Sequence, residues 1–100
     1  MQAVWNGQVI AEADKEDLIY IEGNWYFPPS GVKQEFLEKS DTPYTCPWKG
    51  VCQYFHVVVG GKKSEDSAWS YPEPLPSAIE RVHEDFSNYV AFWRDVQITE

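Results

Sequence analysis

Basic residues are scarce in this chain. Eight Lys and Arg stand against sixteen Asp and Glu, a formal charge of −8. The only adjacent basic pair, Lys62-Lys63, lies beside Glu65 and Asp66. Nucleic-acid binding needs a basic stripe that neutralises phosphates, so no nucleic-acid partner is expected. The acidic balance serves solubility. Long apolar runs are missing too. No stretch approaches the length of a membrane span, and the N-terminus lacks a signal-peptide pattern. A cytoplasmic location, with no membrane partner, is the expectation. Only two cysteines occur, Cys46 and Cys52. In a reducing cytosol they are expected to be thiols rather than a structural disulfide. Leucine is also rare, with three Leu and five Ile among 100 residues.

What replaces leucine is aromatic. Sixteen aromatic residues, five of them Trp, supply the bulk for a core. Tyr and Trp bury large areas but also need a partner for their polar atom. Such a chain has rings for a core and rings left over to line a pocket. A length of 100 residues allows one domain, residues 1–100.

The pattern along the chain is mostly that of strands. Ala3-Val4-Trp5 and Gln8-Val9-Ile10-Ala11 flank Asn6-Gly7, a dipeptide suited to a type I′ hairpin. Leu18 to Ile21 and Trp25 to Phe27 flank Glu22-Gly23-Asn24, a second hairpin. Pro28-Pro29-Ser30 ends that strand, and Ser30 is placed to cap a short helix over 31–38 with Val32 and Phe36 on one face. The stretch from Glu38 to Pro43 reads as loop. Cys52 to Val59 is β-branched and aromatic and stops at Gly60-Gly61, with residues 66–71 as its partner strand. Ser77 and Glu80 have capping-box spacing, and Ile79, Val82 and Phe86 recur at helical intervals, which predicts a helix over 77–86. Tyr89 to Trp93 and Val96 to Ile98 close the chain as strands. The resulting fold class is mainly β: a small antiparallel barrel or a strongly bent sheet built from hairpins, with one or two short helices.

The densest chemistry is in Thr45-Cys46-Pro47-Trp48-Lys49-Gly50. A thiol, a cation and a large ring lie within four residues, held by a proline that fixes the chain and a glycine that permits a tight turn. A cation beside a thiol favours the thiolate. The expectation is that Cys46 and Lys49 point into one partly enclosed cavity walled by Tyr26 and Tyr71. Trp48 and Trp69 extend the same aromatic set. On a strand Trp69 and Tyr71 share one face, opposite Ala68 and Ser70. Cys46, Cys52 and His56 could be read as metal ligands, but the spacing of a closed zinc site is absent. No metal and no cofactor are expected. No Ser/His/Asp set is evident, and His56 is the one nearby candidate base, so no catalytic residue is assigned.

Val4-Trp5-Asn6-Gly7, Ile21-Glu22-Gly23-Asn24, Tyr26-Phe27-Pro28-Pro29, Cys46-Pro47-Trp48-Lys49-Gly50, Ala68-Trp69-Ser70-Tyr71-Pro72-Glu73-Pro74 and Tyr89-Val90-Ala91-Phe92-Trp93 occur in that order. Together they resemble the family called domain of unknown function 427, over nearly the whole chain. The resemblance implies a small, mainly β, single-domain protein. It also brings a nucleotidyltransferase label sometimes attached to the family. Nucleotidyl transfer needs clustered metal-binding carboxylates and a phosphate-cradling turn. The acidic residues here have no such spacing. Two positions depart from the family pattern. Trp25 stands where members often carry His, and Cys52 stands where the residue is usually small.

Two classes of function remain open. One is a small-molecule-binding domain whose ligand, anionic or aromatic, contacts Cys46, Lys49, Tyr26, Trp48, Trp69 and Tyr71. The other is a non-catalytic interaction module that docks a protein, or a second copy of itself, through exposed rings. Monomer and homo-oligomer are equally open.

Overall fold

The computed structural model describes residues 1–100. The first hairpin is β1 (Gln2–Trp5) and β2 (Gln8–Glu12), joined by Asn6-Gly7 with both residues at positive φ. This is the type I′ geometry whose twist matches the flanking strands. The C-terminal strand returns to the other side of β1, so that hairpin becomes a sheet in the order β2, β1 and the last strand, Gln97–Thr99. The second hairpin is β3 (Ile19–Ile21) and β4 (Asn24–Tyr26). Its turn is only Glu22-Gly23, because Asn24 pairs with Ile21 in the ladder.

The third sheet has four strands in sequence order: β5 (Leu37–Cys46), β6 (Gly50–Val59), β7 (Lys62–Ser70) and β8 (Val90–Phe92). The terminal strand Gln97–Thr99 is then β9. All pairings within the sheets are antiparallel. No barrel closes; the three sheets are open and bent around the core.

Two readings of the sequence are corrected here. Residues 31–38 do not form a helix. The segment from Pro29 to Phe36 instead holds two short 3-10 turns, Pro29–Gly31 and Gln34–Phe36, and Ser30 caps neither. The reason is tertiary. Val32 bridges to Ala11, and the Lys33 N–H donates to the Ile10 carbonyl at 2.8 Å, so the segment runs along the free edge of β2. Gly31 makes this approach possible, because a Cβ there would stand 2.6 Å from the Glu12 carbonyl oxygen. Residues 38–43 are not loop but part of β5. Pro43 is tolerated because β5 is an edge strand and its register shifts between Lys39 and Pro43.

The helix, α1, spans Pro76–Val82 rather than 77–86. Its N-cap is Leu75 without a side-chain bond, Pro76 holds the first helical position, and the capping box does not form. His83 ends it in the left-handed conformation. Phe86 lies beyond the helix, fully buried, with edge-on contacts to Tyr26 and Tyr71.

Alternation on β7 divides the core. Ala68 belongs to one hydrophobic cluster with Ile10, Phe27, Val57 and Phe92. Trp69 and Tyr71 belong to a second cluster with Tyr26, Cys52, Phe86 and Ala91. Trp69 and Tyr71 therefore share a buried face, as the spacing predicts, and Ala68 is buried on the other. The second cluster is the floor of the candidate site.

Candidate functional site

Pro47, Trp48 and Lys49 form the link between β5 and β6, closed by the Cys46–Gly50 pair. Gly50 has φ +112°, a conformation that side chains resist. The Leu75 N–H donates to the Lys49 carbonyl at 3.0 Å, which pins the link to the proline-rich segment before α1. The loop thus aims its side chains from both ends.

These side chains open onto a cavity of about 440 Å³, within the usual range for small-molecule sites. Cys46, Trp48 and Lys49 line it, and Trp69 and Tyr71 form its apolar base. Tyr44, Tyr54 and Trp93 complete an aromatic wall, with Tyr54 and Trp93 stacked at 6.4 Å. Tyr26 does not reach the cavity, contrary to expectation. It is fully buried beneath the base, and its hydroxyl accepts the Trp69 indole N–H at 3.0 Å. It holds Trp69 from below, and its hydroxyl also lies near enough to Lys49 to favour the ammonium.

Lys49 is the buried cation of the site, with a side chain 8% exposed. Its Nζ donates to Glu22 Oε1 at 2.7 Å. It also stands 5.2 Å from the Trp48 ring centre and 5.1 Å from that of Tyr71. Burial alone would pull its pKa down, but the Glu22 carboxylate, together with Tyr26 and Cys46, holds the ammonium above its usual value. Glu22 responds in the opposite direction. Its bond to Lys49 lowers its pKa, with Trp48 and Arg81 adding to the pull. The ammonium is therefore bonded to Glu22 and not to the Cys46 thiol, although that thiol is near enough to act on it electrostatically.

His56, the candidate base, is already engaged. Its Nδ1 accepts the backbone N–H of Asp66 at 3.1 Å. Burial alone would raise the Asp66 carboxyl, but the Ser40 and Thr42 hydroxyls, with the Arg94 charge adding to them, bring it below its usual value. No group of three or more His, Cys, Asp or Glu side chains is placed to hold a metal ion.

Glu22, Asn24, Tyr44 and Trp93 are lining residues that the sequence reading did not select. The one available signal for Glu22 was the unusual Glu-Gly at a turn where Asn-Gly is normal. A larger cleft of about 780 Å³ lies elsewhere, around Met1, Glu12, Asp14, Glu16 and Asp17. It is lined by carboxylates with little aromatic surface, and it offers no side-chain cation.

Cys52 is a core thiol. Burial pushes its pKa up to about 11 from an ordinary 9.0. The native state keeps this proton at a pH where the unfolded chain releases it, so stability falls as pH rises through that interval. At pH 10 the expected loss relative to pH 8 is about 1.4 kcal/mol from this group. Tyr71 and Tyr26, both raised by burial, add to the loss at still higher pH. Denaturant melts of wild type and Cys52→Ala at pH 8 and pH 10 check this, since the variant loses the thiol's share of the slope.

Rings around a buried lysine, on a bent β scaffold, define a small β domain with an aromatic-walled cleft. The model of the family described as domain of unknown function (DUF427) matches residues 1–100, and the chain belongs to that family. No curated protein matches the chain.

Proposed function

We propose that this domain binds a small planar anion, an aromatic carboxylate, in the cleft between the Pro47–Lys49 loop and Trp93. The observation that carries the reading is Lys49, a cation 8% exposed at the base of a cleft walled by rings. A buried ammonium is costly unless paired, and rings favour a flat ligand stacked or edge-on. A cationic ligand fits worse. Three of the rings already carry a cation of the protein, whose charge would repel a second one: Trp48 and Tyr71 carry Lys49, Trp48 also Arg81 at 4.5 Å, and Trp93 Arg94 at 4.8 Å. The site is concave, which favours a ligand over a flat protein-docking patch.

Thermal shift with benzoate and indole-3-carboxylate, against benzamide and benzylamine, tests the class. A ligand at 100 times its dissociation constant adds about 2.7 kcal/mol. The two carboxylates are expected to raise the melting temperature and the amine is not. Stabilisation by benzylamine without stabilisation by either carboxylate overturns the reading.

A further inference from the structure

We infer that Glu22 occupies the anion subsite of this cleft, and that a ligand's carboxylate enters by displacing it. The inference rests on the binding reading above and adds a residue that sets affinity and ligand class. Glu22 sits where its own backbone is ill suited. It is the first residue of a two-residue turn, at φ +51°, followed by Gly23 at +83°. The equivalent position in the β1–β2 hairpin has the same φ and is Asn6, a residue that tolerates it. Glutamate at this position brings a carboxylate to Lys49, a contact that asparagine's shorter, neutral side chain would not supply.

The pair is also lopsided. The Lys49 side chain is 8% exposed and that of Glu22 is 56% exposed. Lys49 is the fixed partner, held between Trp48 and Tyr71. Glu22 is the removable one, since rotation of its side chain returns the carboxylate to water. The environment around its carboxylate is that of an anion site. Lys49 bonds it, and Trp48 and Arg81 both favour its charged form. Glu22 and Asn24 line the same cavity as the rings, so a ring carboxylate seated against the aromatic wall would present its charge at this point. A tethered carboxylate competes at high effective concentration, and the apparent affinity of the free ligand is reduced by the fraction of sites left open.

The test uses benzoate, with inorganic phosphate as a second anion and benzamide as a neutral control. Binding to wild type, Glu22→Ala and Glu22→Asn is followed through the indole N–H resonances of Trp48 and Trp69. Asn keeps a residue suited to the turn, which guards against a local folding defect. Both variants are expected to bind benzoate at least about tenfold tighter than wild type, with benzamide unchanged. If wild type binds benzoate and neither variant binds it more tightly, displacement is overturned and the binding reading stands. If phosphate gains as much as benzoate, the carboxylate assignment is overturned. If no form binds benzoate, both readings fall.

Discussion

Replacing Trp69 by alanine is expected to cost about 3–5 kcal/mol of stability. The indole is 8% exposed and packs edge-on against Tyr26 at 6.2 Å and Trp93 at 5.4 Å. Its removal opens a cavity in the second core cluster, among Tyr26, Tyr71, Phe86 and Ala91. It also strips the Tyr26 hydroxyl of its donor, and Tyr26 is fully buried. An unsatisfied buried polar group carries a penalty of its own, about 1–3 kcal/mol. For a domain of this length each kcal/mol lowers the melting temperature by about 4–8 °C. A drop of at least about 12 °C is therefore expected. Trp93→Ala provides the contrast. Trp93 is 40% exposed, so its truncation should cost clearly less. Thermal melts of the two variants side by side check the ordering. Equal melting temperatures for wild type and Trp69→Ala would remove Trp69 from the core.

Lys49→Met should separate binding from stability. Methionine fills a similar volume between Trp48 and Tyr71 without a charge to desolvate. Glu22, left behind, is already more than half exposed and becomes hydrated. The substitution removes the buried charge and leaves none unpaired inside, since Glu22 turns to water, so the melting temperature should move little. Binding responds differently. Truncating one partner of a buried charge-assisted contact typically costs about 2–5 kcal/mol. Benzoate affinity should therefore fall at least about 30-fold, while benzamide is held as before. Titrations followed by the Trp69 indole resonance measure both. Retention of benzoate affinity in this variant would place the anion elsewhere.

Much of the architecture is written in local signals. Asn6-Gly7 and Gly60-Gly61 mark turns because their residues accept positive φ, and both turns form. Alternation on β7 sends Trp69 and Ala68 to different core clusters because a strand has a period of two. The Cys46-to-Gly50 run is legible as an aimed loop for the same reason: Pro47 and Gly50 act on their own backbone. The errors fall where a distant partner overrides a local preference. Val32 and Phe36 have helical spacing, yet the free edge of β2 takes the segment instead. Phe86 has helical spacing with Val82, yet Tyr26 and Tyr71 hold it past the end of α1.

The site divides along the same line. Residue type and spacing by themselves determine that Cys46, Trp48 and Lys49 are presented together, and that Trp69 and Tyr71 share a face. Only the tertiary structure decides that Tyr26 lies under the cleft rather than beside it, and that Trp93 and Tyr44 close its wall. The same holds for the partner of Lys49. Glu22 is 27 residues away along the chain, on the turn of a different hairpin. An ion pair between two turns depends on how two sheets pack, and no local periodicity in either segment encodes that.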